Sequence, residues 1–304
     1  MREGDASDAP AIQALLNACE SADCGEEREV DFEIAGDLLD PNVDVARDWI
    51  LIVDGGDRPA AFGQAYCAPG GEPWTAAWVA PDHRGLGLAA AVLDIAEQRV
   101  RRRVTDGTAD RPSLLTECED AKTKRVAWLR GRGYRRVRDS LAMRIDLSRG
   151  FARPDRPAGF DVRTVRLPDD ARPVYEADTE AFREHFGYHV VTFEAWSAWY
   201  RSQPAFDPEL WLVAWDGDRV AGEVLGSPRG NAGYVSSVAV RREYRGRGLA
   251  LALLLDVFGR FHGRGHDDVM LFVDAENTTG AVRLYEKAGM TVWRRFGIYR
   301  LDLA

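Results

Sequence analysis

Two short stretches of the chain carry arginine, glycines and an apolar tail in the same order. They are Arg84-Gly85-Leu86-Gly87-Leu88-Ala89 and Arg245-Gly246-Arg247-Gly248-Leu249-Ala250. Glycine at such points admits positive φ and leaves the backbone uncovered by side chains. After the second stretch, Ala250, Leu253, Leu254, Val257, Phe258 and Phe261 recur on one face of a helix. A helix that starts there presents free N–H groups and the positive end of its dipole, a setting for an anion such as a diphosphate. A tight strand-to-helix connection alone also uses glycine. Recurrence of the turn with its arginine at two equivalent places favours the binding role.

Other phosphate-binding patterns fit less well. The Gly-Lys-Ser/Thr ending of a P-loop is absent. Gly85-Leu86-Gly87-Leu88-Ala89-Ala90 spells a dinucleotide fingerprint, but the second copy has Leu251 at the last position. Both turns also follow hairpin strands, where a Rossmann unit needs βαβ. Further polar candidates lie in the second half. Glu223 sits mid-strand between Gly222 and Val224, so it either lines a cleft or faces water at an edge. His185 and His189 lie between two helices, with an unperturbed pKa near neutrality, about 6.5. Glu176, Glu180 and Glu184 recur at helical spacing and read first as a solvated face. Trp196, Trp199 and Tyr200 offer an apolar pocket wall or core.

These residues need a scaffold, and the chain repeats one. From Trp49 to Ala89 the sequence aligns without a gap to the segment 161 residues on, pairing Asp57-Arg58 with Asp218-Arg219 and Val79 with Val240. Later, Met143-Arg144-Ile145-Asp146-Leu147 meets Tyr299-Arg300-Leu301-Asp302-Leu303. Two copies at half the chain length mean duplicated domains: 1–148, a linker at 149–158 bearing Pro154 and Pro157, and 159–304. In the second copy, helices are expected over 170–186 and 192–202. Strands follow over 210–215, 219–225 and 234–240, joined by short Gly/Asp turns and so antiparallel. The apolar run Val269 to Val273 reads as a buried strand, Ala281 to Ala288 as a helix stopped by Gly289, and Arg294 to Leu303 as a closing strand. The first copy follows the same order without a convincing opening strand. The fold class is α+β: in each domain a mixed, mostly antiparallel sheet with helices on both faces.

Composition narrows the function. A net charge of −9 argues against nucleic-acid binding. No apolar run approaches the ~20 residues of a membrane span. The opening Met1-Arg2-Glu3-Gly4-Asp5 lacks a signal peptide's apolar core. Cys19, Cys24, Cys67 and Cys118 form no CxxC, so neither a zinc site nor a disulfide framework is expected. A cytoplasmic location follows as the expectation.

The glycine turn after a hairpin strand, together with Asn277-Thr278-Thr279-Gly280-Ala281-Val282-Arg283-Leu284-Tyr285-Glu286-Lys287-Ala288-Gly289-Met290, resembles the GNAT N-acetyltransferase superfamily. The tandem layout resembles the mycothiol synthases and related two-domain acetyltransferases of actinobacteria. The resemblance implies acetyl-coenzyme A as co-substrate, no metal, and a small-molecule amine as acceptor, with the chain a monomer or homodimer. It places the diphosphate on Arg245, Gly246, Arg247, Gly248, Leu249 and Ala250, and the pantetheine arm on Val238, Ala239, Val240 and Asn277. Tyr285 becomes the acid for the departing thiolate. In the first copy Val79, Arg84, Gly85, Leu86, Gly87, Leu88 and Ala89 would form a second cofactor loop. Ala121 stands there for Asn277 and Leu129 for Tyr285, so a single active site in the second half is expected. Many relatives carry an acidic residue on the strand before the loop, whereas here it reads Tyr234-Val235-Ser236-Ser237-Val238. Glu223 and His185 are the substitute bases. Two other readings stay open: a non-catalytic acyl-coenzyme A sensor, and a protein or peptide acetyltransferase.

Overall fold

The structure is a computed structural model. It describes residues 2–24, 34, 38, 43–67, 71–107, 112–153, 155–183, 185–186, 188, 191–202, 206–229, 231–277 and 280–303. In chain order the elements are β1 (Arg2–Glu3), α1 (Ala9–Cys24), α2 (Val45–Asp48), β2 (Trp49–Val53), β3 (Pro59–Tyr66), β4 (Trp74–Val79), α3 (Leu88–Thr105), β5 (Ser113–Glu119), α4 (Thr123–Gly131) and β6 (Arg135–Asp146). The second half continues with β7 (Asp161–Thr164), α5 (Ala171–Phe182), α6 (Phe193–Ser202), β8 (Trp211–Asp216), β9 (Arg219–Arg229), β10 (Ala232–Val240), α7 (Leu249–Gly263), β11 (Asp268–Asp274), α8 (Ala281–Lys287) and β12 (Thr291–Asp302).

The chain forms two compact units. One comprises Met1–Cys118, Lys122–Val137 and Ile298–Ala304; the other comprises Glu119–Ala121 and Arg138–Gly297. This division differs from a clean cut at the proline-bearing linker, because the closing strands are exchanged. Tyr299 and Leu303 are buried with Val100, Leu114 and Leu129 in the first unit's core. Leu141, Met143 and Ile145 are buried with Leu253 and Leu271 in the second unit's core. The two closing strands carry the same pattern, so sequence alone cannot assign each to a sheet.

In the second unit the strands run β6-β11-β10-β9-β8-β7. The hairpins β8–β9 and β9–β10 are antiparallel, as their short turns require. Helices cover both faces. Leu249, Leu253, Val257, Phe258 and Phe261 of α7 pack on one side, and Val174 and Ala177 of α5 with Trp196 and Tyr200 of α6 pack on the other. Phe261 lies so close over Gly233 that an added Cβ there would stand 2.6 Å from its ring. Thr192 caps α6, its hydroxyl accepting from Ala195 N at 3.2 Å.

In the first unit the order is β1-β2-β3-β4-β5-β12. Its opening strand exists after all, as two residues paired antiparallel with β2. Two residues are too few to show a period of two. Two other boundaries also move. Helix α5 ends at Phe182, short of residue 186. Strand β11 is not buried throughout: Phe272 is 41% exposed between buried Leu271 and Val273.

Candidate active site

Strands β10 and β11 run parallel and pair only at Ala232↔Asp268, Gly233↔Val269 and Tyr234↔Met270. Beyond that point they are no longer hydrogen-bonded, although β10 continues to Val240 and β11 to Asp274. On its other side β10 stays paired with β9 through Val238↔Val224, Ala239↔Glu223 and Val240↔Gly222. The edge of Val238, Ala239 and Val240 that would have met β11 is therefore free for another extended chain. The parted strands frame a cavity of about 550 Å³, lined by these three residues together with Arg245, Gly248, Asn277 and Tyr285. Exposed Phe272 also lines it, which accounts for the break in β11's burial.

One end of the cavity is the glycine turn. Gly246 and Gly248 have φ +77° and +80°, the left-handed region that glycine tolerates and other residues pay for in strain. A Cβ at either would meet nothing within 4 Å. The turn is thus open above its backbone. Gly248 precedes α7, and the first main-chain bond back is Ala252 N to Gly248 O, 3.0 Å. The N–H groups of Leu249, Ala250 and Leu251 face that opening without helical acceptors. Arg245 anchors the turn by donating Nε–H to Val240 O at 3.0 Å. Arg247 stands aside from the cavity lining, its guanidinium 5.6 Å from the Tyr244 ring centre.

Across the cavity, α8 presents Tyr285. Its side chain is buried, and burial, reinforced by nearby Tyr234, pushes the phenol up to about 12. It stays a neutral hydroxyl donor at any ordinary pH. Asn277 follows β11, its N–H bonded to Asp274 O at 3.1 Å. His185 lines the cavity behind α5, with the Phe182 ring 4.5 Å away. His189 and Glu184 lie outside the described residues, as does the Trp199 side chain. Trp196 and Tyr200 are core residues, packed on Trp211.

Glu223 is neither in the cavity nor at a wet edge. Its strand is covered on both faces, and the residue is 0% exposed. Its Oε1 lies 3.4 Å from Ser237 Oγ, while Oε2 has no partner among the described residues. Burial first, and the neighbouring Asp178 second, push its carboxyl well above the usual range. Ser237 stands between this carboxyl and the cavity, which it lines, and donates to Asp178 Oδ1 at 2.7 Å. Asp178 and Ser237 were not singled out from sequence. A signal existed: Val174, Ala177 and Ala181 mark the inner stripe of α5, and Asp178 interrupts it. A bulge in β10 between Val235 and Ser237 shifts its register against β9 and had no sequence mark.

The first unit repeats the geometry in part. Strands β4 and β5 pair only at Trp74↔Leu115. Gly85 and Gly87 have φ +83° and +79°, with open space where a Cβ would go. Here, however, Arg84 is ion-paired to Asp23 at 2.8 Å, and Lys122 holds the same carboxylate at 2.7 Å. Leu129, at the tyrosine's place, is fully buried in the core. Among the described residues no cluster of ligating side chains is arranged for a metal ion, and no helix is long and apolar enough to cross a membrane.

Parted strands, a glycine turn capping a helix and a tyrosine opposite define the class, and comparison with known proteins agrees. Residues 171–290 match the Acetyltransferase (GNAT) family. The chain belongs to this family, whose members use acetyl-coenzyme A, and it is an N-acetyltransferase. A mycothiol acetyltransferase of Thermobispora bispora is 33% identical over 264 residues, covering 83% of each chain. A GCN5-related N-acetyltransferase from Sphaerobacter thermophilus superposes with a TM-score of 0.79 at 34% identity, over 99% of this chain and 95% of its own. A tandem GNAT protein from the clavulanic acid biosynthesis pathway shares the fold over 100% of this chain and 97% of its own, with a TM-score of 0.75 at 17% identity.

Proposed function

We propose that the second unit binds acetyl-coenzyme A and transfers its acetyl group directly to a primary amine of a small molecule. The observation that carries this reading is the single cavity joining the open turn at Gly246 and Gly248 to the Tyr285 hydroxyl. The residues fit the co-substrate. Free N–H groups at the start of α7 suit a diphosphate, and Arg245 holds the turn in place. The unpaired edge of Val238, Ala239 and Val240 suits the amides of a pantetheine arm, taken up like an added strand. The bound thioester supplies an activated acetyl group.

The protein's own part is positioning and proton transfer. Holding the acceptor amine beside the thioester removes most of the entropy cost of the encounter. Tyr285 keeps its proton and offers it where sulfur develops charge, and a positioned donor of this kind contributes about 10²–10⁴-fold. The first unit keeps the turn but replaces the donor with Leu129, so it serves as a structural or binding partner. The relative named for mycothiol points to small-molecule acceptors of that kind. The test is coenzyme A release with a panel of small amines and aminosugars, alongside calorimetric titration with acetyl-coenzyme A. Binding without turnover of any amine would leave only the sensor reading.

A further inference from the structure

The pair Asp178–Glu223 sits directly behind the cavity wall, with the charge of Arg241 acting on Glu223 and that of His185 on Asp178. Glu223 is fully enclosed, and its Oε2 meets no donor among the described residues. An ionised carboxylate there would carry the cost of desolvation with only the long Ser237 contact to offset it. Glu223 therefore holds its proton. It lies close enough to Asp178 for one carboxyl to hydrogen-bond the other. Half-buried Asp178 takes the bond from Ser237 at 2.7 Å as well. Two donors converge on one carboxylate, which makes Asp178 the member of the pair that carries charge.

The surroundings leave that charge available. Arg241, at the end of β10, is tied to Glu180 of α5 at 2.8 Å. Among the described side chains of α6, the charged one is Glu194, exposed and facing Arg172 at 3.9 Å. His185 acts on Asp178 through its charge from the cavity side. Burial raises the Asp178 carboxyl above its usual range, against the bonds it accepts.

We propose that Asp178, backed by a neutral Glu223, accepts the proton of the attacking amine through the hydroxyl of Ser237. The role rests on the acetyl-transfer reading above. In the step, the amine nitrogen's lone pair forms the bond to the acetyl carbon and the carbon–sulfur bond breaks, its electrons leaving on sulfur. The nitrogen's proton passes to Ser237 Oγ as the Ser237 proton moves to Asp178, and Tyr285 donates to the sulfur. Acetamide and free thiol result; the proton on Asp178 returns to solvent and solvent restores the proton of Tyr285. Ser237 touches the acceptor; Asp178 and Glu223 act through it as positioning residues.

The test uses the whole chain with the amine that turns over best. Asp178→Asn preserves size and hydrogen bonding but removes the charge. It should lower kcat about 10²-fold or more, abolish the acid limb of the kcat pH profile, and leave the affinity for coenzyme A within twofold. Glu223→Gln should keep the acid limb. Difference infrared spectra at pH 7 provide a reading independent of turnover: a protonated carboxyl band should vanish in Glu223→Gln and persist in Asp178→Asn. Ser237→Ala should lower kcat without changing coenzyme A affinity. A pH profile of Asp178→Asn that overlays the parent's, or a band lost in that variant instead, overturns this role alone. A parent that turns over no amine overturns the acetyl-transfer reading, and this role with it.

Discussion

Replacing Gly248 by alanine separates the strain of the turn from its function. At φ +80° a Cβ costs about 1–2 kcal/mol. For a chain of this size, 1 kcal/mol lowers Tm by about 2–4 °C, so Gly248→Ala should melt about 2–8 °C below the parent. Among the described residues nothing beyond the turn's own neighbours stands within 4 Å of the added methyl, so no clash adds to this. The methyl instead enters the space over the first N–H groups of α7. Weakening one charge-assisted hydrogen bond costs about 1.5–3 kcal/mol, and 1.4 kcal/mol is tenfold. Coenzyme A affinity should therefore fall about tenfold to a hundredfold. Gly217, in the hairpin between β8 and β9, provides the control: its φ is +63° and its Cβ position is equally open. Gly217→Ala should lose similar stability and no affinity. Scanning calorimetry gives Tm and titration calorimetry gives Kd. Two variants with matched losses in Tm and an unchanged Kd would refute the turn as the diphosphate site.

Three further outcomes follow from the same geometry. Tyr285→Phe should lower kcat by about 10²-fold with coenzyme A affinity retained. Because burial pushes the Tyr285 phenol up to about 12, the parent's kcat should show no alkaline limb from this group below about pH 10; steady-state rates across pH check both. Glu223 bears on stability as well. Its folded pKa lies above its unfolded value, so its contribution is present at low pH and is lost as pH rises above about 4.3, where the unfolded chain ionises. Glu223→Gln should therefore gain Tm relative to the parent at pH 8 and little at pH 4; a constant difference would contradict a neutral buried carboxyl. Phe261→Ala removes the ring packed on Gly226 and Gly233 and should cost about 3–5 kcal/mol in denaturant unfolding.

What the sequence made legible and what it hid have one physical source. Gly246 and Gly248 were readable because their backbone angles disfavour other residues, so the constraint is local and carries a residue type. The hairpins of β8, β9 and β10 were readable because short turns leave one pairing direction. The exchange of closing strands was not, since Met143 and Tyr299 occupy equivalent places in the repeat and only packing decides which sheet each joins. Glu223 shows the same limit from the chemical side. Its position in a strand was clear, but its solvation depends on α5 covering that face, a contact between segments about forty residues apart. Asp178 supplies the converse case. It breaks the inner stripe of Val174, Ala177 and Ala181, and a polar residue on a core-facing stripe calls for a buried partner. That partner is Ser237, which the bulge in β10 brings to bear on it. The glycine turn, the proposed co-substrate end of the site, is thus set locally, while the proposed proton-handling end exists only once helix, strand and bulge have met.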